Sequence, residues 1–158
     1  MERPTETIIT EVLTTMGFSD FTIDVCTDDT GTTYKVHVPD GRFLIGHQGA
    51  NLFALNHVIK RIVEHETGVY GRFSIDVNSY QEERNESLKQ RARMLADRVR
   101  SLASDTELEP MDAYERMIVH AALAESKDIT TESTGRGLER RVVIKYQPKK
   151  EDELTGGF

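Results

Sequence analysis

The 158-residue chain has a single cysteine, no tryptophan and only four prolines. One thiol cannot close an internal disulfide or build a cysteine-based zinc cluster, so Cys26 reads as an ordinary strand residue. No apolar run approaches the roughly 20 residues that span a bilayer. The first residues, Met1-Glu2-Arg3-Pro4-Thr5-Glu6, lack the apolar stretch of a secretory signal. There is no H-E-x-x-H, no Walker loop, no G-x-S-x-G and no dinucleotide fingerprint, and no two carboxylates are spaced as a recognisable acid/base pair. Positive charge is also not in excess. Lys and Arg total 20 against 27 Asp and Glu, a formal net charge of −7. That balance argues against unspecific duplex binding over a broad basic surface. The expectation is a reduced, cytoplasmic protein without metal, cofactor, membrane segment or small-molecule substrate.

The sequence does contain enough apolar residues, 37% hydrophobic against 30% charged, to bury a core. The charges are unevenly placed. Residues 1–79 hold six basic and eleven acidic side chains, and residues 80–158 hold fourteen and sixteen. Any anion-binding face must therefore be local. Ile8, Val12 and Met16 recur one helical turn apart, which predicts a helix over 4–16 stopped by Gly17. Residues 21–26 and 33–38 alternate apolar and polar, and Thr27-Asp-Asp-Thr-Gly31 between them has turn chemistry, so a hairpin follows. A short apolar piece, Phe43-Leu44-Ile45, leads into Gly46-His47-Gln48-Gly49. A helix over 50–66 and a strand over 72–78 complete a first α+β layer of helices on a three-stranded sheet.

Ser79 and Glu82 have the spacing of a capping box and predict a long helix to Leu102, with Leu88, Ala92, Leu95, Val99 and Leu102 as its buried seam. A second box, Asp112 with Glu115, opens a helix to about Glu125. Strands over 129–133 and 140–146 are joined by Gly135-Arg136-Gly137. The tail, 148–158, is polar and aperiodic, and is expected to be disordered.

Two clusters point to chemistry. The first is Ile45-Gly46-His47-Gln48-Gly49. Paired glycines let a turn bring its backbone close to a ligand, and the helix that follows presents N–H groups and a partial positive charge. Arg42, Lys60 and Arg61 are available to add full charge, because His47 and Gln48 bring none at neutral pH. The second is Arg116-Met-Ile-Val-His120. On a helical wheel Tyr114, Met117, Ile118 and Ala121 form the main apolar side, and Arg116 and His120 point nearly the opposite way, with Val119 and Leu123 near the Arg116 edge so that partial burial of His120 stays open. Arg offers a planar donor fork for phosphate, and His can donate to phosphate or stack on a base. His57, Arg61 and His65 share a helix face that reads as solvated.

The element order around Gly46-x-x-Gly49, over roughly 4–78, resembles a type II KH domain. In that family the loop clamps single-stranded nucleic acid and the bases lie in an apolar groove. The resemblance assigns Gly46, His47, Gln48 and Gly49 to the loop and Ile45, Asn51 and Leu52 to the groove entrance. The run Leu108–His120, with Thr131-Glu-Ser133 and Glu139–Ile144, resembles an R3H domain over roughly 80–146. KH followed by R3H resembles the bacterial Jag (SpoIIIJ-associated, KhpB- or EloR-like) family, here beginning at the KH helix without the N-terminal Jag-N domain of many members.

The expected organisation is thus a KH-like domain over 1–79, an R3H domain over 80–147 and the tail. The resemblance implies a non-enzymatic, post-transcriptional regulator that binds single-stranded RNA, with single-stranded DNA as the second candidate ligand and a small single-KH protein as a partner. The contact residues expected are Ile45, Gly46, His47, Gln48, Gly49, Asn51, Arg116, His120, Arg140, Arg141 and Lys145. Two short-linked weak sites would gain through effective concentration. Two other readings stay open. One is a protein-interaction adaptor on the same folds, suggested by the acidic total and the uncharged loop pair. The other is an enzyme acting on RNA with His120 as acid or base.

Overall fold

The computed structural model describes residues 4–68 and 70–148; the expected tail lies outside the described residues, apart from Pro148. The molecule is α+β, and the chain divides into two compact units, one ending at Glu83 and the other beginning at Arg84.

The first unit runs α1 (Thr5–Thr15), β1 (Thr22–Asp28), β2 (Gly31–His37), α2 (Arg42–Ile45), a 3-10 turn (His47–Gly49), α3 (Ala50–Thr67) and β3 (Phe73–Val77). The sheet order is β1-β2-β3, with β1 antiparallel and β3 parallel to β2. The hairpin turn forms because the Asp28 carboxylate accepts the backbone N–H groups of Thr30 and Gly31 and the Thr30 hydroxyl. Those bonds, led by the hydroxyl, pull the Asp28 carboxyl below its usual range. The core comes from the periodic faces: Ile8, Ile9 and Leu13 of α1, Leu52, Leu55, Ile59 and Val63 of α3, and Phe73, Ile75 and Val77 of β3.

Two asparagines substitute for backbone. The Asn56 amide donates to the Ile75 carbonyl at 2.8 Å and accepts the Ile75 N–H at 2.8 Å, stitching α3 to β3. Asn78 does the same for Val38, accepting its N–H at 2.9 Å and donating to its carbonyl at 2.9 Å. An amide with both functions satisfied costs little, and it fixes register.

The second unit contains most of α4 (Tyr80–Leu102), then β4 (Thr106–Glu107), α5 (Ala113–Leu123), β5 (Ile129–Thr134), a 3-10 turn (Gly137–Glu139) and β6 (Arg141–Tyr146). Its antiparallel sheet has the order β4-β6-β5. β4 is too short to leave a sequence pattern. Its core is Ala92, Ala96 and Val99 of α4, Leu108, Val119 and Leu123 of α5 and its approach, and Ile129, Val142 and Ile144 of the hairpin.

Three expectations fail here. The start of α4 is not held by a Ser79 box. Asp76, 5% exposed and the sole buried charged residue among those described, accepts the N–H groups of Gln81 at 2.9 Å and Glu82 at 3.2 Å as well as that of Val77. The Glu82 carboxylate is occupied elsewhere, 2.9 Å from the Lys35 ammonium, whose pKa it raises. The α4 seam also differs at its end. Ala96 is buried and Leu102 is 62% exposed, so the packed face of α4 runs through Ala92, Ala96 and Val99 and leaves out the last residue of the helix. On α5 the buried residues are Ile118, Val119 and Leu123, and Tyr114 and Met117 are exposed. The hairpin packs on the Val119–Leu123 side, so of the larger apolar stripe of the wheel Ile118 is buried and Tyr114, Met117 and Ala121 face solvent.

Asp76→Ala would leave part-buried N–H donors at the start of α4 without their acceptor. It is expected to lower stability by about 2 kcal/mol, read as a lower urea midpoint by far-ultraviolet circular dichroism. A wild-type midpoint would show that water or Ser79 serves equally well.

Candidate nucleic-acid interface

In the first unit α2 ends at Gly46, and the chain then reverses into α3 through backbone conformations that few residues tolerate. φ is +72° at Gly46, +51° at Gln48 and +81° at Gly49. The glycines are also required by space. A Cβ on Gly46 would lie 2.5 Å from the Asn51 side chain, and one on Gly49 would lie 2.9 Å from the Tyr80 ring. His47 and Gln48 project from this turn and are exposed. No side-chain hydrogen bond caps the start of the 18-residue helix α3 among the described residues, and its N–H groups and partial positive charge lie there.

The expected groove residues fall into different roles. Leu52 is buried in the core, and Ile45 packs half-buried against it. The Asn51 amide donates to the Phe43 carbonyl at 2.7 Å, so it braces α2 against α3. Two of the three expected cations are paired with carboxylates. Arg42 forms a two-point pair with Asp40, at 2.9 and 2.8 Å; the Arg42 side chain and then its N–H hold the Asp40 carboxyl down at about 2. Arg61 lies 2.7 Å from Glu64, and the Lys60 ammonium sits 5.9 Å from the Phe73 ring centre. The residues that the sequence reading missed are Phe43 and Phe53, 73% and 79% exposed on α2 and the first turn of α3. Their spacing matched no periodic face, so only the fold reveals them as unburied aromatics beside the loop.

In the second unit the Asp112 box forms as expected. Asp112 accepts the Glu115 N–H at 2.8 Å, and Glu115 accepts the Asp112 N–H at 3.3 Å. Glu115 also receives the Arg84 guanidinium at 2.6 Å. One turn on, Arg116 and His120 are half-buried and behave differently. Arg116 donates to the Met111 carbonyl at 2.7 Å and has no carboxylate partner among the described residues. Both ring nitrogens of His120 meet hydroxyls of β5, Nδ1 with Thr131 at 2.6 Å and Nε2 with Ser133 at 2.9 Å. A phosphate contact by this ring would require breaking one of them.

Arg140, Arg141 and Lys145 do not form one cluster with Arg116. Thr131 pairs with Ile144 and Ser133 with Val142, so His120 faces the core side of the hairpin. Arg141 and Lys145 alternate with buried Val142 and Ile144 and so lie on the other side of the sheet. There Lys145 lies 2.6 Å from Glu132, which raises its pKa, and Arg141 pairs with Glu139 and Glu107 at 3.1 and 3.5 Å. Arg140 is linked to the Arg116 region through backbone: its carbonyl accepts the N–H of Met111, whose own carbonyl accepts from Arg116.

Among the described residues no three His, Cys, Asp or Glu side chains are grouped to hold a metal ion, and no helix is long and apolar enough to cross a membrane. A depression of about 350 Å³ lies over the later turns of α3, lined by His57, Val58, Arg61, Ile62, His65 and Glu66. It is apart in sequence from the loop at the start of that helix.

A family model described as the R3H domain matches residues 86–146. The chain is 36% identical over 105 residues to the RNA-binding protein KhpB of Clostridium symbiosum, covering 66% of this chain and 47% of that protein. It is 32% identical over 128 residues to the RNA-binding protein KhpB of Bacillus subtilis (strain 168), covering 78% and 62%. Identity to the RNA-binding protein KhpB of Lactiplantibacillus plantarum is 34% over 101 residues, covering 64% and 31%. The chain therefore spans about half the length of the first of these relatives.

His120→Ala would leave Thr131 and Ser133 facing a gap where a doubly bonded ring had been. The expected loss is about 2 kcal/mol of stability, measured by urea denaturation. Arg116→Ala, which removes one partly exposed bond, should cost about 1 kcal/mol. Equal midpoints for the two variants would mean that the ring is not a structural clamp.

Proposed function

The chain belongs to the Jag/KhpB family of R3H-domain proteins, and from that premise we propose that it is a non-enzymatic binder of single-stranded RNA that acts after transcription. The reading is carried by one observation: Gly46–Gly49 forms an exposed left-handed turn at the uncapped start of α3. Such a turn lets a sugar–phosphate backbone approach closer than any side chain would allow, and the helix dipole favours its charge. Phe43 and Phe53 beside the turn offer surfaces on which unpaired bases stack. Stacking favours unpaired strands, because bases inside a duplex have no free face.

The second contact is Arg116, with Arg140 next to it. Arg116 keeps donor positions beyond the one used on Met111, and no carboxylate among the described residues cancels it. His120 supports this face through β5. Arg141 and Lys145 drop out of the proposed contact set because carboxylates hold them on the other side of the sheet. The protein named KhpB in each of the relatives above is called RNA-binding, which supports the same ligand class here. The R3H match over 86–146 supports the second contact in particular.

A second reading has one observation in its favour. Arg42 and Arg61, two of the cations expected to help the loop, are paired with Asp40 and Glu64, as suits a loop that touches protein rather than polyanion. RNA titration separates the two readings. Full-length recovery of the labelled RNA after incubation sets both apart from an RNA-cleaving enzyme.

Gly49→Asp is a poor probe of the loop, because it forces a side chain against Tyr80 at a φ of +81°. His47→Asp with Gln48→Asp leaves both glycines intact and adds two negative charges on the exposed positions. This pair is expected to weaken binding of a short unpaired oligoribonucleotide by about tenfold or more in filter binding, with an unchanged urea midpoint. Full retention of affinity would exclude the loop as the clamp.

Arg116→Gln removes one phosphate contact. The slope of log affinity against log salt should then become shallower by about 0.7. An identical slope would take Arg116 out of the interface.

A further inference from the structure

The hairpin tip between β5 and β6 is the part of the second unit that the reading above leaves unused. It reads Thr134-Gly135-Arg136-Gly137-Leu138-Glu139-Arg140. Resting on the RNA-binding reading, we propose that this tip is a separate contact element, in which Leu138 packs against an unpaired base while Arg136, with Arg140 and Arg116 behind it, holds the adjoining phosphates.

The tip is a built structure. Gly135 has a φ of +85°, and a Cβ there would lie 2.8 Å from the Glu139 carbonyl oxygen. The Glu139 N–H donates to the Arg136 carbonyl at 3.1 Å, and the Arg140 N–H donates to that of Gly137 at 3.3 Å. The Arg140 guanidinium donates to the Gly135 carbonyl at 3.0 Å and so closes the turn from outside. A turn fixed in this way loses little conformational entropy when it binds. It holds Leu138 at 95% exposure, the most exposed of the large apolar side chains among the described residues.

One exposed leucine alone means nothing. Its surroundings are what distinguish it. Arg116 bonds the Met111 carbonyl, Met111 bonds the Arg140 carbonyl, and Arg140 bonds the Gly135 carbonyl. That chain of bonds ties the Arg-x-x-x-His face to the tip. Arg116, Arg136 and Arg140 have no carboxylate partner among the described residues. By contrast Arg84, Arg91, Arg100, Arg141 and Lys145 of the same unit each pair with one. A protein of net charge −7 thus leaves three guanidinium groups without carboxylate partners on the tip that carries this leucine and on the helix start bonded to it. A polyanion with exposed base faces complements that surface: guanidinium forks match phosphates, and an aliphatic side chain covers a base face.

The chain has no tryptophan, so Leu138→Trp places a single indole reporter on the tip. The probe is a fluorescein-labelled unpaired oligoribonucleotide, with anisotropy reporting binding to the whole chain. The expected result is quenching of the tip indole that saturates together with the anisotropy, whereas a reporter placed at exposed Tyr70 (Tyr70→Trp) in the first unit stays unchanged. Leu138→Ala should weaken binding about fivefold. Arg136→Gln should make the salt slope shallower by about 0.7 without moving the urea midpoint. Normal anisotropy with a silent tip indole and an unchanged Arg136→Gln slope overturns the tip as a contact and leaves the RNA-binding reading standing. No anisotropy change for the wild-type chain overturns both.

Discussion

An acidic protein that grips a polyanion must keep a few of its cations away from its own carboxylates. Many Lys and Arg side chains here fail that condition. Arg84, Arg91, Arg100, Arg141 and Lys145 each lie within ion-pair distance of an Asp or Glu. Exposed pairs of this kind add little stability, but each one cancels a charge that a phosphate would otherwise meet. Two of the cations outside such pairs are positioned by backbone. Arg116 is anchored on a backbone carbonyl, which fixes its position without neutralising it. Arg140 is held in the same way. Backbone acceptors let the fold aim a guanidinium and still leave its charge to a ligand.

The loop of the first unit meets the same constraint differently. It carries no lysine or arginine, and Asp40 occupies the guanidinium of Arg42 just before it. In the proposed interface its attraction for phosphate would rest on backbone dipoles, which internal carboxylates cannot pair away. Such a site needs a fixed conformation. Asn51 fills the space beside Gly46 and Tyr80 fills the space beside Gly49, so the turn is braced on both sides. A dipole-based site is weaker than a charge-based one and falls off over a shorter range. It needs a preset geometry, and here the side chains that set it belong to α3 and to the first turn of α4.

Much of this was legible in the sequence, and what was not has physical reasons. The period-3.6 runs of α1, α3 and α4 and the alternation of β1, β2, β5 and β6 marked the elements to within a few residues. The Asp112–Glu115 box was readable because both partners are local. The Ser79–Glu82 box had the same pattern and failed, since Glu82 found Lys35 and a buried Asp76 took the helix donors. Lys35 is far away in sequence, and Asp76 precedes the expected cap. The wheel of α5 misled because it ranks apolar content, whereas burial follows where the hairpin docks. Arg141 and Lys145 were grouped with Arg116 as cations of the same R3H-like segment, but strand alternation puts them on the opposite side of the sheet from His120. Leu138 and Arg136 carried no pattern at all, because a tip residue answers to neither period.

His120 has a structural role inside the second unit. Its ring closes two hydrogen bonds to alternate residues of β5, and alternate residues share one face of a strand. The ring therefore sets both the distance and the register between α5 and the hairpin. Arg116 sits one turn nearer the start of α5, where Met111 links it to Arg140 and so to the tip. Moving β5 relative to α5 would shift Arg140 away from Arg116, because β6 moves with its paired strand. The spacing of four residues between Arg116 and His120 then has a mechanical meaning. One residue presents the charge, and the other, a turn further into the unit, holds the sheet that completes the surface around it.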